Sequence, residues 1–128
     1  MSYYFTKTIH TTFDQAIDQV TEALKEESFG ILTDIDVKAT LKKKMDVDFR
    51  SYRILGACNP PFAYRALIEE DKIGTMLPCN VIVQELGENV IEVSAVDPMA
   101  SMQAVDNLKL ADIAVEVRAK LERIVENL

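Results

Sequence analysis

The sequence predicts a single α+β domain in which helices pack on one face of a mostly antiparallel sheet. Short runs with two-residue apolar alternation are interspersed with two long runs at helical spacing. Two of the strand-like runs follow each other across a hairpin signal, which is typical of antiparallel pairing. No linker, repeat or low-complexity segment divides the 128 residues, a length that suits one core.

The N-terminal part of the chain predicts a strand, a helix and a second strand. The alternation in YYFTKTI indicates a strand over residues 3–9. Thr12 and Gln15 form a capping-box pattern, so a helix is expected to follow. Its apolar stripe is Ala16, Ile17, Val20, Ala23 and Leu24. Gly30 is expected just after the last turn, where a positive φ is often needed, and GILTDIDV (30–37) predicts a strand.

The middle of the chain predicts a helix, a strand and another helix. Residues 37–45 have helical spacing, and SYRILGAC (51–58) has the alternation of a strand. Asn59 is a favourable N-cap and Pro60 a favourable first helical residue, so a helix is expected to begin there and end before Gly74. Its predicted buried residues are Phe62, Ala63, Ala66 and Leu67.

The C-terminal part predicts a hairpin and a long helix. After Pro78, the runs 79–86 and 89–96 are strands joined through Gly87. The segment DPMASMQ predicts a loop or a single turn. A helix over 105–127 follows, with its apolar stripe at Leu110, Ile113, Ala114, Val117, Leu121, Ile124 and Leu128.

Composition and charge exclude several classes of partner. The net charge of −7 disfavours a nucleic-acid partner, since phosphates repel an acidic surface. No apolar run approaches the roughly 20 residues that span a bilayer. The first 15 residues lack a basic stretch followed by an apolar one, so we expect a cytoplasmic protein without membrane contact.

The segments GACNPPFAYRAL (56–67) and PCNVIV (78–83) hold both cysteines, each followed by asparagine. Cys58 comes just before a predicted helix, where free N–H groups would lower the pKa of its thiol. The same N–H groups could hold a small anion. A free cysteine is more often a small packing residue, which is the favoured interpretation for both cysteines, and Asn59 and Asn80 could cap backbone donors.

Other candidates are weaker. A metal centre is not predicted, because there is no C-x-x-C and His10 is the only histidine. Asp97 ends a strand and could act as an acid or a base, but Asp before Pro98 is also ordinary turn chemistry.

The run YRILGACNPPFAYRALIEEDKIGTMLPCNVIVQE (52–85) resembles the domain-of-unknown-function 302 family, and the flanking segments fit it as well. This resemblance implies an order of elements like that of the TATA-box-binding-protein fold, with a curved antiparallel sheet. The resemblance does not indicate which activity or which cofactor the domain has. The residues that match the family signature are the candidate binding site: Gly56, Cys58, Asn59, Pro60, Pro78, Cys79 and Asn80.

The leading hypothesis is a domain that binds a small ligand or anion in a cleft between the two Cys-Asn segments. One alternative is a thiol-based redox or catalytic module that uses Cys58 and Cys79. Another is a dimeric structural protein with no small-molecule site. A homodimer is expected because the predicted strands leave an open edge or face, and Met99 and Met102 could join the contact.

Overall fold

A computed structural model describes residues 2–128. Its strands are β1 (Tyr4–Ile9), β2 (Gly30–Asp36), β3 (Tyr52–Cys58), β4 (Cys79–Gly87) and β5 (Val90–Val96). Its helices are α1 (Phe13–Glu26), α2 (Val37–Met45), α3 (Pro60–Glu69), α4 (Pro98–Ser101) and α5 (Leu108–Glu126), with a 3-10 helix at Asp71–Met76. None of the helices in residues 2–128 is long and apolar enough to cross a membrane.

The five strands form one open sheet in the order β1-β5-β4-β3-β2, and every neighbouring pair is antiparallel. The predicted α+β fold and the predicted β4–β5 hairpin are therefore confirmed. Strand β4 lies in the centre, where Val83 pairs with Val93 of β5 and Val81 pairs with Leu55 of β3.

The core lies between one face of the sheet and the helices α1 and α5. Val20 and Leu24 of α1 and Leu121 of α5 are fully buried against this face. The sheet contributes Leu55, Ala57, Val81, Val83, Ile91, Val93 and Ala95. Each fully buried Leu or Val contributes about 1.5–3 kcal/mol of hydrophobic stabilisation, so this layer dominates folding.

The end of α1 differs from the prediction. Gly30 does not have a positive φ and instead begins β2, while Ser28 takes the left-handed conformation with φ 67°. The N–H of Ser28 donates to the carbonyl of Lys25, and the N–H of Phe29 donates to that of Leu24, each at 2.9 Å. This is the Schellman pattern of helix termination, and it places Phe29 against the core next to Leu24.

The helix that begins at Pro60 is shorter than predicted. It ends at Glu69 because Glu70 is extended, with φ −149°. The 3-10 helix that follows buries Ile73 against Ala66 and Leu110. Leu67, predicted to be buried, is 43% exposed. The last helix begins at Leu108 rather than at residue 105, because Asn107 caps it through a hydrogen bond from the N–H of Lys109.

Candidate functional site

A cavity of about 270 Å³ lies where β3 ends and α3 begins, under α5. We call it the α3–α5 cavity. It is lined by Phe29, Leu32, Ala57, Cys58, Asn59, Phe62, Ala63, Ala66, Leu67, Leu77, Pro78, Cys79, Pro98, Met102, Leu110, Ile113, Ala114 and Val117. Among residues 2–128, no charged side chain lines it, and Asn59 is its single amide.

The β3–β4 pairing explains how two segments 21 residues apart in sequence meet at this cavity. Ala57 pairs with Cys79, so Cys58 and Asn59 continue from the end of β3 beside the start of β4. Cys58, Asn59, Pro78 and Cys79 all line the cavity.

The first turn of α3 offers few hydrogen-bond donors. Pro60 and Pro61 have no N–H, so two of the four N–H groups that a helix start normally leaves free are absent. The side chain of Asn59 does not cap the helix but donates through Nδ2 to the carbonyl of Glu27 at 3.3 Å. The helix start is therefore a poor anion site compared with one that has four free N–H groups.

The other signature residues lie outside the cavity. Asn80 is exposed on the opposite face of the sheet, in a groove with Tyr3, Tyr4 and Tyr52, because neighbouring residues of a strand point to opposite faces. Pro60 is exposed and is not a lining residue. Of the seven signature residues, the structure thus brings Cys58, Asn59, Pro78 and Cys79 to the cavity wall and leaves Pro60 and Asn80 outside it.

Gly56 has a packing role next to the cavity. It pairs with Asn80 of β4 and Thr33 of β2. A Cβ atom at this position would overlap Thr33 Oγ1 and would lie 2.7 Å from Pro78 Cγ. Glycine therefore allows Pro78, which follows a cis peptide bond, to approach β3 closely.

The pKa of Cys58 is not lowered as the helix start predicts, but Cys58 is still the more acidic of the two thiols, as expected, because burial raises the pKa of Cys79 further. Burial raises the pKa of Cys58 above its ordinary value. Burial and the nearby Cys58 together raise the pKa of the Cys79 thiol to about 11. The physical reason is that burial in the apolar wall removes water, which disfavours the charged thiolate.

Charged groups near the cavity are paired elsewhere. Arg65 points outward, with Nη1 3.0 Å from Glu116 Oε2. Asp97 is buried but accepts from the N–H of Met99 at 3.0 Å and lies 3.1 Å from Arg118 Nε, so it caps α4 and is not a free acid or base. Within residues 2–128, no cluster of three or more His, Cys, Asp or Glu side chains could hold a metal ion.

Sequence reasoning missed most of the cavity wall. The stripe on α5 that predicts core residues also supplies Leu110, Ile113, Ala114 and Val117 to the cavity. Leu32 is the extra residue of a β-bulge in β2, where the register shifts between Ile31 and Thr33. It is 68% exposed and borders the cavity. Apolar periodicity identifies such residues as buried but does not distinguish a filled core from a cavity wall.

Comparison with known proteins supports the family resemblance seen in the sequence. The model of the family "Domain of unknown function DUF302" matches residues 5–128. The chain belongs to this family. This DUF302 domain is similar to a crystal structure of an uncharacterized conserved protein DUF302 from Bacillus stearothermophilus. The two are 27% identical, 98% of each chain is covered, and the TM-score is 0.90. No curated protein matches the chain.

Proposed function

We propose that this DUF302 domain binds a small, predominantly apolar molecule in the α3–α5 cavity. The observation that carries the proposal is the composition of the wall, in which Asn59 is the single amide and, among residues 2–128, no side chain is charged. Ligand pockets are typically apolar with a few placed polar groups. The apolar wall and the few donors of α3 favour a neutral ligand over the anion considered from the sequence.

The cavity is large enough for an aromatic or medium-chain molecule. A buried apolar cavity of about 150 Å³ holds benzene. At about 270 Å³, the α3–α5 cavity is nearly twice that size. A molecule with two fused rings is therefore a reasonable probe.

The thiol-based alternative has weaker support. Cys58 and Cys79 line the same cavity, which a redox pair requires. However, burial raises the pKa of both thiols, so they are protonated at neutral pH and are poor nucleophiles. We propose instead that both sulfur atoms form part of the apolar wall.

We also propose that the protein forms a homodimer. Strand β2 is at one edge of the sheet, and its residues Leu32 and Ile35 are 68% and 48% exposed. An exposed apolar edge strand is commonly covered by another chain. Met99 is 43% exposed and could contribute to the contact, whereas Met102 lines the cavity and serves there instead.

Ligand binding is tested with a neutral apolar dye, N-phenyl-1-naphthylamine, whose fluorescence rises when it leaves water. We expect saturable binding that Ala63→Leu weakens at least fivefold, because Ala63 lines the cavity and is only half-buried, so a larger side chain can fill the space without unfolding the domain. Ala119→Leu is the matched control, since Ala119 is exposed on α5. Equal affinity of both variants, or no saturable binding by the wild type, would refute the proposal.

A further inference from the structure

We propose that Asn59 determines the specificity of the α3–α5 cavity and that its ligand carries one neutral hydrogen-bond donor, such as a hydroxyl group, on an apolar body. This inference rests on the proposed function and names the chemical class of the ligand. It follows from the hydrogen bonds of Asn59, from its surroundings and from the charges near the cavity.

Asn59 is a buried polar residue at the cavity wall. It is 6% exposed and lines the cavity. Its Nδ2 donates to the carbonyl of Glu27, whereas its Oδ1 accepts no hydrogen bond from residues 2–128 and does not cap α3. Every fully shielded side-chain oxygen or nitrogen in residues 2–128 has a hydrogen-bond partner, so Oδ1, which has none, is not fully shielded and is accessible to water or to a ligand hydroxyl. A buried amide normally satisfies its acceptor, and here a ligand can do so.

The orientation of the amide is fixed. A main-chain carbonyl only accepts hydrogen bonds, so the group of Asn59 that faces the Glu27 carbonyl must be the NH₂, and the oxygen must lie on the other side. Glu27 itself is held to α5. Its carboxylate lies 3.4 Å from Lys120 Nζ and accepts two hydrogen bonds from Arg123, at 3.0 and 3.1 Å. The Asn59 side chain, and with it the acceptor atom Oδ1, is therefore held in position before a ligand binds.

The same geometry selects against other polar groups. A ligand that only accepts hydrogen bonds would face the lone pairs of Oδ1 and gain nothing. A carboxylate would be buried without a counter-charge, because the nearest arginine on α3, Arg65, is paired with Glu116 outside the cavity. An unpaired buried charge is strongly disfavoured.

The test compares three naphthalenes of similar shape as competitors of N-phenyl-1-naphthylamine at neutral pH. They are 2-naphthol, which donates a hydrogen bond, 2-methoxynaphthalene, which only accepts, and 2-naphthoate, which is an anion. We expect 2-naphthol to bind roughly 3- to 10-fold more tightly than 2-methoxynaphthalene, as one net hydrogen bond provides. We expect 2-naphthoate to bind most weakly.

The variant Asn59→Leu should abolish the preference for 2-naphthol while keeping affinity for 2-methoxynaphthalene. If this variant fails to fold, the ratio of the affinities of the wild type for 2-naphthol and 2-methoxynaphthalene still tests the inference. Equal binding of 2-naphthol and 2-methoxynaphthalene, or tightest binding of 2-naphthoate, would overturn the role of Asn59 and leave the proposed function standing. Failure of all three probes and of the dye to bind would instead refute the proposed function.

Discussion

The substitution Gly56→Ala tests whether this signature glycine is there for packing. The added Cβ would overlap Thr33 Oγ1, which is the end of an exposed side chain and can rotate away. It would also lie 2.7 Å from Pro78 Cγ, in a ring that has no such freedom. Carbon atoms in contact are about 3.5–4.0 Å apart, so Pro78 or β3 must move by roughly 0.8 Å.

The expected loss of stability is about 1–2 kcal/mol. Overpacking of this kind costs about 1–3 kcal/mol, and the lower chain entropy of unfolded alanine offsets about 0.4–1 kcal/mol of that cost. Urea denaturation measures the difference. With a slope near 1.5 kcal/mol per molar, the midpoint should fall by roughly 1 M. Because Pro78 lines the α3–α5 cavity, affinity for N-phenyl-1-naphthylamine should fall as well.

Two further variants separate this packing effect from a general effect of replacing glycine. At Gly30, a Cβ would meet nothing within 4 Å, and φ is not positive, so Gly30→Ala should be neutral or slightly stabilising. The double variant Thr33→Ala/Gly56→Ala should recover only part of the loss, since the Pro78 contact remains. Stability of Gly56→Ala within about 0.3 kcal/mol of the wild type would contradict the packing role.

Three other outcomes are expected. In single-cysteine variants at neutral pH, both thiols should be alkylated more slowly than a free thiol. Cys79 should react more slowly than Cys58, because its pKa is raised to about 11. Fast alkylation of either thiol would support the redox alternative. Glu27 has a pKa lowered by its hydrogen bond to Arg123, so its contribution to stability is present above its ordinary value of 4.5 and is lost as pH falls through the folded-state pKa. Glu27→Gln should therefore lower the urea midpoint at pH 7 and match the wild type near pH 3, whereas a constant difference would exclude the ion pair. Sedimentation at micromolar concentration should give a dimer, and a clean 14.4 kDa monomer would exclude it.

Sequence patterns predict the start of a helix well where the residues that cap it are present. The Thr12 hydroxyl accepts from the N–H of Gln15, so α1 begins as the capping pattern predicts. The end of α1 is less predictable, because the Schellman hydrogen bonds form around Ser28 although glycine is two residues away. Likewise, the 3-10 helix after Glu70 depends on the packing of Ile73 against Leu110, a contact far apart in sequence. Neither outcome is encoded in nearby residues alone.

The candidate site is predictable only in part for a similar reason. The expectation that the two Cys-Asn segments lie together agrees with the β3–β4 pairing, in which Ala57 lies opposite Cys79, although alternation alone does not specify which strands pair. The same alternation places Asn80 on the opposite face from Cys79, which the period of two residues requires. The wall from α5 cannot be deduced, because its spacing is that of any core-facing helix.

The tandem prolines decide what kind of ligand the helix start can bind. Asn59 followed by Pro60 is a favourable helix start, and a helix start suggests an anion site. Yet Pro60 and Pro61 lack two of the four N–H groups that a helix start normally leaves free for an anion. The side chain of Asn59 does not cap the helix but donates to the Glu27 carbonyl, and its Oδ1 is left for another partner. The sequence feature that first suggested an anion is therefore the one that favours a neutral hydrogen-bond donor.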